Sequence, residues 1–254
     1  MNYFVEGLQG SGKSTLVEKL KEKNPGYTAI KEGDYSPIEL AWCALMNESQ
    51  YTQILSQWKD LEDQFLNNTR KEGDHFIVCY TKVKSEDRSF YQQLENNEIY
   101  NGRIGFEEYK DIVLSRYRNW KGNDNVFECS LLQNGVEDMI LFRDMSDDEI
   151  LDFYREVRKA LEGKDYHIYY IETADIERNL NVIRKERIDK DGNEIWFEML
   201  MGYFVDSPYA IKRNLKKYEN LLKHLEHRQE LELRICREIF SDKLTIVQSK
   251  AYDL

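Results

Sequence analysis

The strongest chemical signal in the chain lies within its first fifteen residues. Gly7, Gly12, Lys13 and Ser14 fit the spacing G-x-x-x-x-G-K-[ST], with Gly10 and Ser11 inside the loop and Thr15 directly after it. These residue types suit a chain of phosphates. Side chains are absent at Gly7, Gly10 and Gly12, so backbone N–H groups can come close to an anion. Lys13 adds a mobile positive charge for the β- and γ-phosphates. The Ser14 hydroxyl is a hard oxygen ligand suited to Mg²⁺. The expected cofactors are therefore ATP and Mg²⁺, with Gly7, Gly10, Ser11, Gly12, Lys13, Ser14 and Thr15 as the phosphate-binding set.

Such a loop needs a strand before it and a helix after it. The apolar run Tyr3-Phe4-Val5 supplies the strand. Leu16, Val17 and Leu20 mark one face of the following helix, with Glu18, Lys19 and Lys21 on the other. Asn24-Pro25-Gly26 is a stop signal, and Tyr27 to Ile30 reads as a second strand ending at Lys31-Glu32-Gly33-Asp34. Pro37 is expected to open a helix that later carries Ile54, Trp58, Leu61 and Phe65 as a core stripe. His75 to Tyr80 is a β-rich run that fits either a sheet strand or the buried end of a helix and its loop. Asp87 to Leu94 and Phe106 to Trp120 read as helices around a turn at Tyr100-Asn101-Gly102.

Asn125 to Ser130 reads as a buried strand ending in a carboxylate and a hydroxyl, followed by a helix over Val136 to Phe142. Ser146-Asp147-Asp148-Glu149 is a capping box for a helix closed by Gly163. Tyr166 to Ile171 is a further strand, and Ala174 to Arg187 is helical. Asp189-Lys190-Asp191-Gly192 is expected to turn the chain between Arg187-Ile188 and Glu194-Ile195-Trp196. Its glycine stands fourth where a calcium loop needs it sixth, so a turn is the better reading. Ser207-Pro208 starts a long charged helical region, with Ile211, Leu215, Tyr218, Leu222 and Leu225 expected inward. His224 and His227 are expected at the surface of that region. Leu244 to Val247 is the last strand.

Alternating strands and helices imply an α/β fold in three layers: a parallel sheet of about five strands with helices on both faces. Ligands of such sheets lie beyond the carboxyl ends of the strands, so residues 7–14, 32–35, 128–133 and 172–173 are expected to converge. The 254 residues are 41% hydrophobic, enough for a sizeable core. A net charge of −11 argues against a nucleic-acid partner or an anionic membrane, though a local loop can still hold a small anion. Cys43, Cys79, Cys129 and Cys236 form no C-x-x-C pair, so a zinc ribbon or a thioredoxin-type motif is unsupported. Scattered cysteines, a first strand that begins at once and no apolar run of membrane-spanning length lead to the expectation of a cytoplasmic protein.

Within phosphate-loop proteins, a GTPase would carry D-x-x-G and N-K-x-D, and a motor or AAA-type ATPase four apolar residues before Asp-Glu; neither is present. Phe4-Val5-Glu6-Gly7-Leu8-Gln9-Gly10-Ser11-Gly12-Lys13-Ser14-Thr15 resembles the opening of the thymidylate kinase and deoxynucleoside kinase group, which begins with an apolar strand and E-G-x-x-G-x-G-K-S-T. Glu32 resembles the catalytic carboxylate of deoxynucleoside kinases. Glu128-Cys129-Ser130 resembles their E-R-S motif, with Cys129 in place of the arginine. Arg184-Lys185-Glu186-Arg187 resembles the arginine-bearing lid that closes on the phosphates, and Ser249-Lys250-Ala251-Tyr252 lies where the family's loop packs on adenine.

The resemblance implies a P-loop kinase domain over residues 1–254, with a helical insert at about 37–120 and a lid at about 178–200. Phosphoryl transfer rests on positioning and charge neutralisation, which Lys13, Mg²⁺ on Ser14, Arg184 and Arg187 would supply. Glu32, with Asp34 next, would orient the acceptor hydroxyl. Glu128, at the end of a buried strand, would hold Mg²⁺ through water. The expected activity is ATP-dependent phosphorylation of a small molecule, a nucleoside or nucleotide first among them, with a homodimer as an open option. Two alternatives stay open: a nucleotide-binding ATPase or sensor with no acceptor, and a kinase of a non-nucleoside acceptor such as an antibiotic.

Overall fold

The computed structural model describes residues 1–249. Lys250, Ala251 and Tyr252 of the tail read beside adenine lie outside the described residues. In chain order the elements are β1 (Asn2–Gly7), α1 (Lys13–Lys23), β2 (Thr28–Ile30), β3 (Ala44–Met46), α2 (Glu48–Gln57), α3 (Glu62–Asn67), β4 (Thr69–Glu72) and β5 (His75–Val78). Then come α4 (Arg88–Glu95), α5 (Phe106–Asn119), β6 (Asn125–Glu128), α6 (Gln133–Leu141), α7 (Asp147–Ala160) and β7 (Tyr166–Glu172). The chain closes with α8 (Ile176–Glu186), α9 (Ile195–Val205), α10 (Pro208–Arg213), α11 (Tyr218–Ile239) and β8 (Leu244–Gln248). It divides into two units: Met1–Ala29 with everything from Lys121 onward, and Ile30–Trp120.

The first unit is built on a five-stranded parallel sheet in the order β2-β6-β1-β7-β8, flanked by helices in a three-layer α/β arrangement. β1 lies at its centre, with Val5 opposite Glu128 on one side and Tyr169 on the other. Side chains alternate across a strand, so each face is legible from every second residue. Val5, Val126 and Ile171 pack against Leu16, Val17 and Leu20 of α1, with Tyr3 and Tyr169 at the edge of that cluster. Phe4, Glu6 and Tyr170 therefore turn to the opposite face. There the Tyr170 hydroxyl donates to Glu232 of α11 at 2.7 Å, and Glu6 meets the start of α6.

Several expected elements keep their place. Ser146 caps α7 with a reciprocal bond to Glu149, and β5, β6 and β7 form where apolar runs were read. Residues 37–120, expected as a helical insert, hold α2 to α5 together with an antiparallel sheet in the order β3-β5-β4. No helix opens at Pro37. The Ser36 hydroxyl accepts from the N–H groups of Ile38 and Glu39, and the helix waits for Asn47, whose side chain forms a capping box with Gln50. The stripe Ile54, Trp58, Leu61 and Phe65 does pack into one core, joined by Val78, Tyr80 and Phe90. It spans two helices and a short 3₁₀ turn at Lys59–Leu61.

The expected turn at Asp189–Gly192 forms. Asp189 accepts from the N–H groups of Asp191 and Asn193, closing a turn. Glu194-Ile195-Trp196 then leads into the eleven-residue helix α9. That apolar run is too long and lacks the alternation a strand requires. The charged helical region beyond Ser207 is broken at Asn214, whose left-handed φ of 54° ends α10. The inward register holds at Leu225, which is buried, and differs elsewhere: Ile211 is exposed, while Leu221 and His224 are buried.

Candidate active site

Gly12 closes the loop and caps α1 at φ 102°, and Gly7 and Gly10 also have positive φ, at 139° and 71°. Space demands glycine as strongly as torsion does. A Cβ on Gly7 would stand 2.6 Å from the carbonyl oxygen of Ile171, and one on Gly10 would stand 1.8 Å from Cδ1 of Ile183 in α8. The first intrahelical bond of α1 runs from the Leu16 N–H to the Gly12 carbonyl. The N–H groups of Lys13, Ser14 and Thr15 thus have no acceptor one turn back, and they lie at the positive end of the helix. Ser11 Oγ is buried and, among the described residues, has no hydrogen-bond partner. These features fit a phosphate anion.

The Lys13 ammonium is buried and donates to the carbonyls of Gly7 and Leu8, both at 2.8 Å. Ser14 Oγ donates to Glu128 Oε1 at 2.5 Å. The parallel register of β1 and β6 produces this meeting, because Glu128 ends its strand opposite Val5 and the chain loops from β1 back over it. A hydroxyl beside a carboxylate is a hard oxygen donor set of the kind Mg²⁺ takes. Among the described residues no cluster of three or more His, Cys, Asp or Glu forms a metal site.

Gln9 is the residue the sequence reading passed over. Asn179 of α8 donates to its backbone carbonyl at 3.0 Å, and Arg228 of α11 donates to its side-chain oxygen at 2.7 Å. Arg228 is wholly buried and ion-paired with Glu137 at 3.0 Å and Glu232 at 3.3 Å. Its neighbour Gln229 bonds both the N–H and the carbonyl of Thr173, fixing the link from β7 to α8. A signal was present: Arg228 and Glu232, four apart, continue the stripe of Leu221 and Leu225 where apolar residues would be expected. His224, expected at the surface, is buried and bonded to Glu137 at 2.9 Å.

Charge is concentrated beneath the loop. Glu6 accepts from the N–H groups of Leu131, Leu132 and Gln133 at 2.8, 3.2 and 3.2 Å. Burial nevertheless raises its carboxyl to about 7, aided by Glu232 and opposed by those N–H groups. Glu137 goes the other way. Burial alone would raise it, but Arg228 and His224 outweigh that and hold it at about 2.

No protein-family model matches the chain.

Each of the remaining expected residues has partners of its own. The Arg184 guanidinium stacks 3.8 Å from the centre of the Phe197 ring and pairs with Glu194 at 2.5 Å. Arg187 stands 4.7 Å from the centre of Trp196. Both are engaged with α9 and the turn leading into it. Cys129, at the E-R-S position, is buried at φ 57°, and its N–H donates to the Val5 carbonyl. Glu32 belongs to the second unit, where its carboxylate accepts from the Trp42 indole at 2.9 Å. Asp34 beside it pairs with Lys82. The tail residue Ser249 donates from its hydroxyl to the Ser11 carbonyl at 2.8 Å.

Proposed function

We propose that the chain is an ATP-dependent phosphotransferase acting on a small molecule, with a nucleoside or nucleotide as the acceptor class. The observation that carries this reading is the glycine loop at the N-terminus of α1, with buried Lys13 and the Ser14–Glu128 pair. Backbone N–H groups and Lys13 would bind the phosphates, and Ser14 and Glu128 would hold Mg²⁺. Bound there, Mg²⁺ would neutralise charge on the phosphoryl group in transfer. Ser11 Oγ offers one more donor for a phosphate oxygen. Glu32 would orient the acceptor hydroxyl, and Arg184 and Arg187 would exchange their α9 contacts for phosphate. Four buried cysteines, all thiols, suit a reducing, cytoplasmic setting. No helix among the described residues is long and apolar enough to cross a membrane.

The test is a coupled phosphotransfer assay across nucleosides, nucleotides and small alcohols. Lys13→Ala should abolish every transfer observed, and turnover retained in that variant would overturn the mechanism. Cys129 favours a second reading, a nucleotide-binding module that hydrolyses ATP slowly, because it leaves no cation at the E-R-S position. That reading predicts ATP–Mg²⁺ binding by calorimetry and no acceptor that accelerates turnover.

A further inference from the structure

Cys43 and Cys79 face each other in the second unit, their sulfur atoms 3.6 Å apart. The antiparallel register explains the contact. Ala44 pairs with Val78, Leu45 with Ile77 and Met46 with Phe76, so one step further along both strands places Cys43 opposite Cys79. The Cys79 N–H donates to the Asn68 carbonyl at 2.9 Å, on the β4 side. The Cys79 carbonyl accepts from the Lys82 N–H at 3.1 Å, so neither backbone polar group of Cys79 is spent on Cys43. The Cys43 N–H bonds instead to the Leu40 carbonyl at 3.1 Å. Each cysteine lies one residue beyond its paired strand with its N–H bonded elsewhere, the arrangement of a non-hydrogen-bonded cross-strand position, where Cα atoms approach to about 4.5 Å. That separation lies inside the range of about 4.4–6.8 Å that a disulfide spans without backbone movement.

We propose that Cys43 and Cys79 are a redox modification site, closing to a reversible disulfide when hydrogen peroxide reaches them. The roles within the pair are set by the thiol contact. Cys43 donates its S–H toward Cys79, which brings the Cys79 thiol below its ordinary range, with Lys82 and Arg70 adding to the effect and burial opposing it. The same contact and burial push Cys43 up. Cys79, as thiolate, attacks the peroxide; the O–O bond breaks, Cys79 becomes a sulfenic acid, and the displaced oxygen leaves as water. The Cys43 sulfur then attacks the Cys79 sulfur. The S–S bond forms, the S–O bond breaks, and a second water leaves with the Cys43 proton. Two thiols lose two electrons and the peroxide gains them. A dithiol reductant reverses the reaction by thiol–disulfide exchange.

Both sulfurs are buried, at 1% and 3% residue exposure, so the oxidant must be small and enter by local opening. The segment beside them is already strained. Trp42, next to Cys43, has φ 62°, a left-handed conformation that a bulky residue rarely adopts. Cys129 and Cys236, buried thiols of the first unit, are internal controls.

The experiment is peptide mapping of the full chain after hydrogen peroxide treatment, with free thiols alkylated under denaturing conditions. A linked Cys43–Cys79 peptide is expected. Alkylation at both positions should be lost and then restored by dithiothreitol, while Cys129 and Cys236 stay alkylated throughout. In Cys43→Ser the sulfenic acid has no resolving thiol, so a dimedone adduct should appear at Cys79 that wild type lacks. Thiols at 43 and 79 that stay alkylatable would overturn the proposal. So would sulfinic acids there without a linked peptide, or the absence of a Cys79 adduct in the variant.

Discussion

Arg228, buried in α11, holds the side chain of Gln9 in the glycine loop with a hydrogen bond of 2.7 Å. A helix more than two hundred residues away in sequence thereby fixes the loop's shape, and Glu137 and Glu232 keep the guanidinium in place from behind. Gln9→Ala should remove this hold and leave the ion pairs intact. Nucleotide affinity should fall about tenfold, the effect of about 1.4 kcal/mol, with little change in urea midpoint. Arg228→Met should differ in kind. It strands two carboxylates in the interior, so the stability loss should be about 3–5 kcal/mol. Calorimetry and urea unfolding separate the two results; unchanged affinity in Gln9→Ala would mean that the loop keeps its shape without α11.

Gly10 and Ile183 form the loop's second hold. The position allows no side chain, because φ is 71° and a Cβ would overlap Ile183 Cδ1 at 1.8 Å. Gly10→Ala should weaken nucleotide binding more than any substitution at Gly26, where a Cβ would meet nothing. Part of the loss is steric and part torsional, so pairing it with Ile183→Ala should recover only the steric part. A double-mutant cycle measures the coupling, expected at about 0.5–3 kcal/mol. Full additivity would show that α8 yields freely to the loop.

Ser14 and Glu128 meet at 2.5 Å, which ties the proposed cation site to the first turn of α1 and the end of β6. Ser14→Ala and Glu128→Gln should each raise the Mg²⁺ concentration needed for half-maximal ATP binding, by about tenfold or more. Affinity for ATP measured with excess chelator should change little. A titration of Mg²⁺ at fixed nucleotide reads this, and equal loss with and without the cation would reassign the pair to loop support.

The sheet of the first unit was legible because its strands are apolar runs and its helices carry a change of period from two to nearly four. β1, β6 and β7 each stand where Tyr3-Phe4-Val5, Asn125–Ser130 and Tyr166–Ile171 were read. The second unit hid its sheet for physical reasons. β3 has three residues, and β4 is Thr69-Arg70-Lys71-Glu72, partly exposed and lacking an apolar face. Within the site, the glycine loop was legible from spacing because torsion and close approach restrict residue type. Arg228 showed only as a charge on an apolar stripe, and His224 and Asn179 not at all, since a polar residue on a helix reads as a solvated one until its partner is known. Their partners, Gln9 and Glu137, lie far off in sequence.

Glu6 gives the protein a pH dependence of its own. Its carboxyl moves from an ordinary value of 4.5 to about 7 in the folded chain because burial, aided by Glu232, outweighs the three N–H bonds from the start of α6. The folded state therefore binds this proton more tightly than the unfolded chain. Below 4.5 the residue is protonated in both states, and its stabilising contribution is fully present. As pH rises to about 7 the unfolded chain releases the proton first, so folding loses about 3 kcal/mol across that window at roughly 1.4 kcal/mol per pH unit. Above about 7 both states are ionised and the loss is complete. Glu6→Gln keeps an acceptor for the α6 N–H groups and cannot titrate. Urea unfolding at about pH 5 and about pH 8 should show wild type losing stability relative to the variant, chiefly on this account. The two profiles would instead run parallel if Glu6 kept an ordinary carboxyl in the folded state.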